Sequence, residues 1–116
     1  MRDFRKLTIW REGIDLVKRI YGLSNLLPKE EFYGLKSQIQ RASVSIPSNI
    51  SEGCSRNSDL EFKRFLEIAM GSSFELETQL VVINELQMVS ELKINESIEF
   101  IHQLQKKINS LITKLK

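Results

Sequence analysis

Few side chains in this sequence have the types and spacing that catalysis or metal binding requires. Cys54 is the only cysteine and His102 the only histidine, so the chain cannot form an internal disulfide or the usual Cys/His zinc site. A Cys–His nucleophile pair would need a third group to orient it, and neither residue lies in such a motif. Glu99 and His102 form one Glu-x-x-His motif, whereas a di-metal helical bundle needs two. We therefore expect no metal and no cofactor.

The serine-rich stretch SIPSNISEG, residues 45–53, is the other candidate for chemistry. Its serines lack the histidine and aspartate partners, the lysine spacing and the elbow motif that activate a serine nucleophile. The sequence therefore predicts that the chain is not an enzyme. Small residues also surround Ser72, so we expect two helices to approach closely where these two small-residue patches meet.

Pro47 interrupts a stretch that otherwise has a helical pattern. Proline inside a helix lacks an amide hydrogen and costs ~3 kcal/mol, yet Ile46 and Ile50 keep the apolar spacing of the preceding residues. A loop would have no reason to preserve that spacing. We therefore predict a helix kinked near Pro47, with Ser43, Ser45 or a water bonded to the carbonyl that the proline leaves free.

Apolar residues recur at steps of three and four in four separate stretches, which predicts four amphipathic helices. The expected bounds are about 8–26, 29–53, 59–87 and 91–115, within a single domain of residues 1–116. Short connections make sequential helices run antiparallel. The predicted fold is therefore all-α, an antiparallel up-down-up-down four-helix bundle.

The expected helix ends rest on capping residues. Thr8 is a candidate N-cap for the first helix, and Gly53 a candidate left-handed C-cap for the second. Ser58 and Glu61 have the spacing of a capping box at the start of the third. The last helix has two alternative starts, Ser90 and Asn95.

Several apolar stripes are wider than a bundle core requires. The predicted buried row of the first helix comprises Trp10, Ile14, Val17, Ile20, Leu23 and Leu27. That of the second comprises Phe32, Leu35, Ile39, Ala42, Ile46, Ile50 and Gly53, and that of the third comprises Phe62, Leu66, Ala69, Ser73, Leu76, Leu80 and Ile83. Apolar residues outside the predicted rows are Phe65, Ile68, Met70, Phe74, Val81 and Val82 in the third helix, and Phe4, Leu7 and Ile9 near the start. Surplus apolar surface on a small protein usually meets a partner, and a broad core face is the alternative.

Three segments, DFRKLTIW, GLKSQIQRASVSIPSNISEG and FLEIAMGSSFELETQL, carry a resemblance that spans nearly the whole chain. In this order they resemble the four-helix-bundle family of 23S rRNA intervening-sequence proteins. Members are encoded in bacterial genomes and resemble one another in forming ring-like pentamers. A similar bundle is the accessory protein of diversity-generating retroelements, which binds nucleic acid and a polymerase. The resemblance implies a non-catalytic homo-oligomer, a pentamer by analogy, that associates with RNA, DNA or a nucleic-acid enzyme.

The family pattern falls on residues that we expect to form an interface or a polar network. They are Phe4, Leu7, Trp10, Gln38, Arg41, Asn49, Glu52 and Glu75. Glutamate and arginine in this set could be general acid/base groups. An ion-pair network that fixes helix register or a subunit contact is the interpretation we favour.

The chain is mildly basic, with a net charge of +2 and a pI near 8.8. Basic residues cluster near the start of the sequence, around the N-terminus of the third helix and near the carboxyl-terminal end. The carboxyl-terminal cluster comprises Lys106, Lys107, Lys114 and Lys116. The candidates for nucleic-acid binding are Arg5, Lys6, Arg11, Arg56, Lys63 and Arg64. Each could contact phosphates, or could simply be part of a solvated outer face.

No signal peptide or membrane-spanning stretch is evident, so we expect a cytoplasmic location. The expected function is that of an oligomeric scaffold or adaptor that binds RNA or DNA weakly, without membrane or small-molecule partners. A purely structural or protein-interaction module with no nucleic-acid role is the alternative.

Overall fold

Four helices account for most of residues 1–115, the part of the chain that the computed structural model describes. They are α1 (Thr8–Ser24), α2 (Leu35–Cys54), α3 (Asp59–Glu85) and α4 (Glu91–Lys114). Short 3-10 helices, Phe4–Lys6 and Lys29–Glu31, precede α1 and α2. No strand occurs between residues 1 and 115, so the predicted all-α class with four helices is confirmed. Lys116, the last residue of the carboxyl-terminal basic cluster, lies outside the described residues.

Each helix packs against its neighbours in the sequence, and α4 returns to α1. Within residues 1–115, no Cα atom of α1 lies within 8 Å of one in α3, and none of α2 within 8 Å of one in α4, so the helices occupy the corners of a quadrilateral in chain order. In every pair of adjacent helices, the residue numbers rise along one helix as those of the contacted residues fall along the other. The contacts are Gly13–Pro47 and Ser24–Gln40 between α1 and α2, Ser45–Ser72 and Gln38–Gln79 between α2 and α3, Ser73–Gln105 and Glu77–His102 between α3 and α4, and Glu12–Lys107 and Arg19–Phe100 between α1 and α4.

The core lies between the four helices and follows the predicted pattern most closely in α3. All seven residues of its expected row are buried: Phe62, Leu66, Ala69, Ser73, Leu76, Leu80 and Ile83. In the first half of α1, each buried residue comes one position before the predicted one. Ile9 and Leu16 are buried, whereas Ile14 and Val17 are half-buried and stand outside the core.

Helix α2 continues through Pro47, which is itself buried. The prediction that residues 46–53 are helical is therefore confirmed, and the bend stays a prediction. The hydroxyl of Ser43 donates to the Gln40 carbonyl at 2.8 Å, and that of Ser45 pairs with the Ser72 hydroxyl. Neither hydroxyl bonds the carbonyl of Ser43 that the proline leaves free, so the two serine alternatives are wrong and the water alternative stays a prediction.

Gly53 does not end α2 in a left-handed conformation, so its predicted role as a C-cap is wrong. No glycine among residues 1–115 has a positive φ, and the helix runs on to Cys54. A Cβ at Gly53 would lie 2.7 Å from the Cβ of Phe65. The glycine is needed because α3 passes so close.

The start of α2 also differs from the predicted one. The stretch Lys29–Glu31 forms a separate 3-10 helix, and Gly34 (φ −106°, ψ −110°) separates it from α2. Phe32, which the apolar spacing placed in the buried row, is 40% exposed because it precedes α2.

Capping explains most of the remaining helix ends. The Ser58 hydroxyl accepts from the Glu61 amide at 3.2 Å, which confirms Ser58 as the N-cap of α3. The Glu61 carboxylate lies 3.3 Å from the same hydroxyl, so the reciprocal half of the capping box stays a prediction. Ser90 caps α4 by accepting from Lys93, so of the two alternatives Ser90 is the start. Thr8 is the first residue of α1 rather than its cap. None of the helices described here has the length and apolar character needed to cross a bilayer.

Candidate interaction surfaces

The basic candidates gather at one end of the bundle, where α1 and α3 begin and α2 and α4 end. Arg2 holds this end together. Its backbone amide donates to the Cys54 carbonyl at 3.0 Å, and its guanidinium pairs with Asp59 and lies 4.1 Å from the centre of the Phe62 ring. The arm before α1 is thereby fixed across the α2–α3 turn. Sequence patterns gave no signal for this contact, because the partners are 57 residues apart.

Three of the six basic candidates are paired with carboxylates of the same chain. The pairs are Arg5–Asp3 at 3.3 Å, Arg11–Asp15 at 3.1 Å and Arg56–Glu52 at 3.3 Å. Lys6, Lys63 and Arg64 have no ion pair within residues 1–115. Because exposed ion pairs contribute about 0–1 kcal/mol, a phosphate could compete for the paired arginines as well.

Charge is unevenly distributed along the bundle. The basic end, which we define as residues 1–15, 48–67 and 104–115, contains ten Lys or Arg and seven Asp or Glu. The opposite end, residues 16–47 and 68–103, contains six Lys or Arg and eight Asp or Glu. The first end is therefore net positive and the second net negative.

Members of the predicted polar network lie along α2 and α3, and apart from the Glu52–Arg56 pair their bonds within one chain are neutral. Gln79 donates to Gln38 at 3.3 Å, and Asn49 donates to the Ser45 carbonyl at 2.8 Å. The hydroxyls of Ser45 and Ser72 are 2.8 Å apart, which confirms that the two small-residue patches meet. This contact draws α2 and α3 together without charged groups.

Arg41 and Glu75, also in that set, are exposed. Neither forms an ion pair within residues 1–115. The neighbouring Gln79 is 9% exposed, and its Oε1 has no hydrogen-bond partner among the described residues. This part of the α2–α3 surface therefore keeps unused polar groups.

The apolar candidates near the start of the chain are used within the chain. Phe4, Leu7 and Trp10 pack against the core. The rings of Phe4 and Trp10 meet edge to face with centroids 5.1 Å apart. Their apolar character needs no second molecule to explain it.

The surplus apolar residues of α3 remain largely exposed. Ile68, Phe74, Val81 and Val82 are 50%, 58%, 45% and 40% exposed. Two shallow cavities of about 400 and 390 Å³ adjoin Phe74. Phe74 and Val81 form a row on the side of α3 that faces α4, whereas Ile68 and Val82 lie toward α2. An exposed apolar row on the outer side of a bundle helix is the usual mark of a contact surface.

Glu77 and His102 form a polar pair between α3 and α4 beside these cavities. The His102 Nε2 lies 2.9 Å from a Glu77 carboxylate oxygen, and Gln105 donates to the other oxygen at 3.0 Å. Burial alone would raise the pKa of Glu77, but the two hydrogen bonds and the charge of His102 outweigh it and lower that pKa. The carboxylate form is therefore favoured.

Cys54 and His102 do not meet. Cys54 ends α2 and His102 lies on α4, and within the described residues no Cα atoms of these two helices come within 8 Å of each other. Cys54 is 1% exposed, and burial raises the pKa of its thiol although the charge of Arg2 acts in the opposite direction. This arrangement excludes the Cys–His nucleophile pair that the composition left open.

Comparison with known proteins gives the chain a family and confirms its fold. The sequence profile described as "23S rRNA-intervening sequence protein" matches residues 5–110. No curated protein matches the chain. A crystal structure of a protein with unknown function from the S23 ribosomal protein family of Bacteroides thetaiotaomicron VPI-5482 is similar, with a TM-score of 0.84. The two are 22% identical, and the likeness covers 90% of this chain and 98% of the other, so it concerns the fold alone.

Proposed function

The chain belongs to the 23S rRNA-intervening sequence protein family, and from this premise we propose that it is a non-catalytic, oligomeric scaffold or adaptor. It binds RNA or DNA weakly and without strong sequence preference, or binds an enzyme that acts on nucleic acid. The observation that carries the proposal is the exposed apolar row of α3, which includes Phe74 and Val81.

Self-association accounts for that row. Several large apolar side chains on one helix face are costly to leave in water, at roughly 25 cal/mol per Å². Burying them against another copy removes this cost. The number five comes from the family resemblance, whereas the need for a partner comes from the exposed side chains themselves.

The basic end supports nucleic-acid binding. Lys6, Lys63 and Arg64 have no carboxylate partner within residues 1–115 and are available to phosphates. A ring repeats this end in every subunit, so that individually weak contacts add through avidity. Phosphate contacts carry no sequence information, which is why we expect little sequence preference.

The oligomer is tested by light scattering of the purified protein at micromolar concentration. We expect a mass several times 13.5 kDa, and five times that value for a pentamer. A monomeric mass would refute self-association.

Binding is tested by titrating labelled single- and double-stranded oligonucleotides at about 50 and 200 mM salt. Affinity should fall by about a decade or more over this range if several phosphates are contacted. The double variant Lys6→Glu with Arg64→Glu should abolish binding and keep the oligomer. Lys29→Glu with Lys93→Glu is the matched control, since it changes the net charge equally at the other end of the bundle.

A protein-interaction module without a nucleic-acid role is the second candidate. The intramolecular pairing of Arg5, Arg11 and Arg56 favours it, because these cations are partly neutralised already. Absence of binding at 50 mM salt by an intact oligomer would select this function.

A further inference from the structure

An apolar strip follows the edge where α1 meets α2. Gly13 and Ser24 both contact α2 and are three helical turns apart. Steps of four, four and three residues lead from Gly13 through Val17 and Tyr21 to Ser24. Val17 and Tyr21 therefore lie on the same side of α1 as these two contacts. Tyr21 is 43% exposed and Val17 is half-buried.

The α2 side of this edge continues the strip. Val44 lies between Gln40 and Pro47, which both contact α1, at steps of four and three. It is 39% exposed. We define the α1/α2 face by the residues Ile14, Val17, Tyr21 and Val44.

A second apolar strip follows the edge where α3 meets α4. Met70, Phe74 and Val81 share one side of α3 with Glu77, which bonds His102 on α4. The two cavities beside Phe74 make this edge concave. We define the α3/α4 face by the residues Met70, Phe74, Glu77, Val81 and His102.

The two faces lie on opposite sides of the molecule. Helices at the corners of a quadrilateral in chain order place the α1–α2 edge across from the α3–α4 edge. If two copies paired through the same patch on each, only one side of the molecule would need to be apolar. Two different apolar sides fit a head-to-tail contact, in which one face of each copy meets the other face of the next.

Their charges are complementary. Lys18 and Lys36 flank the α1/α2 face, and neither has an ion pair within residues 1–115. The α3/α4 face has Glu77, already paired with His102, and Glu99 beside the same cavity as Lys106. Glu85 lies one turn beyond Val81. The first face is thus net positive and the second net negative.

From these observations we propose that the α1/α2 face of one copy docks head-to-tail on the α3/α4 face of the next. The proposal rests on the self-association proposed above and names the two surfaces that produce it. Each copy uses both faces once, so the assembly closes into a ring when the rotation between copies permits it.

Two face variants test the contact. Tyr21→Glu with Val44→Glu disables the α1/α2 face, and Phe74→Glu with Val81→Glu disables the α3/α4 face. All four sites are exposed, so each variant should keep wild-type helicity by circular dichroism. Serine versions of both variants provide a milder second pair. Leu60→Glu with Leu92→Glu is the matched control, because these residues are 60% and 70% exposed and lie outside both faces.

Each face variant alone should be monomeric by light scattering, with self-association weakened about tenfold or more, and the control should keep the wild-type mass. Mixed in equal amounts, the two variants should form a heterodimer and nothing larger, because the mixture retains one intact face of each kind. Native mass spectrometry with one isotope-labelled partner identifies that species.

Three results would overturn the proposal. An oligomeric wild type with either face variant still at the wild-type mass would show that the contact lies elsewhere. Monomeric variants that fail to form the heterodimer would show that the two faces do not dock on each other. A monomeric wild type would refute both this contact and the self-association on which it rests.

Discussion

The α2–α3 contact and the α1–α4 contact join helices of similar length by opposite means. Between α2 and α3 the groups are short and uncharged: the hydroxyls of Ser45 and Ser72 bond directly, and Gly53 lets the Phe65 side chain approach its backbone. Between α1 and α4 the groups are long and charged. Lys107 reaches Glu12 at 2.6 Å, and a cavity of about 430 Å³ opens beside this pair.

This difference separates the part of the bundle that fixes geometry from the part that tolerates change. Short side chains at a close approach allow no alternative arrangement, since an added carbon meets backbone or a ring directly. Long charged side chains can turn aside into water. We therefore expect substitutions to be costly at the first contact and mild at the second.

The largest effect should come from placing a carboxylate at each contact. Leu76 is fully buried in α3, and Leu76→Asp should unfold the protein because an unpaired buried charge costs several kcal/mol of a total of about 5–15. Ile39→Asp on α2 should do the same. Phe100→Asp should remain folded and lose about 1–2 kcal/mol of stability, since Phe100 is half-buried beneath the Arg19 guanidinium. Thermal melting followed by circular dichroism measures all three changes. Equal melting temperatures for Leu76→Asp and the wild type would contradict the assigned core.

Glycine-to-alanine substitutions should have opposite signs at two positions. At Gly53 the new Cβ would lie 2.7 Å from Phe65 Cβ and 3.1 Å from a Phe62 ring carbon, so α3 must shift, at about 1–3 kcal/mol. At Gly22 nothing lies within 4 Å, and alanine should stabilise α1 by up to about 1 kcal/mol. Urea denaturation measures both changes. Destabilisation by Gly22→Ala would show that the α1 end is tighter than its contacts indicate.

Double-mutant cycles should distinguish the two contacts by their salt dependence. The Ser45–Ser72 coupling should be about 0.5–1.5 kcal/mol and the same at about 0.05 and 1 M NaCl, because both partners are neutral. The Lys107–Glu12 coupling should be about 0.2–1 kcal/mol at low salt and largely vanish at high salt. A salt-independent Lys107–Glu12 coupling would place that pair in a drier environment than its exposure suggests.

The smallest effect concerns pH at the α3–α4 contact, which is intermediate in character. Because the pKa of Glu77 is lowered from its ordinary 4.5, its carboxylate stabilises the folded state above about pH 4.5. This contribution is lost as pH falls through the lowered value. The melting-temperature difference between wild type and Glu77→Gln should therefore shrink from pH 6 to pH 3. A constant difference would show that hydrogen bonding, and not ionisation, supplies the contribution of Glu77.

Periodicity predicted the fold class, and it predicted the α3 core because the row from Phe62 to Ile83 keeps alternating steps of four and three along the whole helix. Periodicity failed to predict the α1 core, because two adjacent rows of α1 are apolar. The packing of Gly13 on Pro47 decides which of these two rows faces the core. A spacing rule cannot see that contact, which depends on a second helix. The row that was wrongly predicted as core, with Ile14 and Val17, became half of the proposed interface.

The candidate charges divide in the same way. The pairing of Arg11 with Asp15 could be foreseen, because residues four apart on a helix are neighbours. The bridge from Arg2 to Asp59 could not, because it depends on how the bundle closes. The unpaired state of Arg41 and Glu75 likewise emerges only when every neighbouring side chain has been placed.

The arm that Arg2 fixes has a consequence for biosynthesis. Arg2 is translated before its partners Cys54, Asp59 and Phe62, which follow more than fifty residues later. At roughly 5–20 residues per second, about 3–12 s pass before the ribosome has made them. During that interval the arm has no docking site, and nothing in the chain yet covers the apolar side chains of Phe4 and Leu7. The completed α2–α3 turn supplies that site.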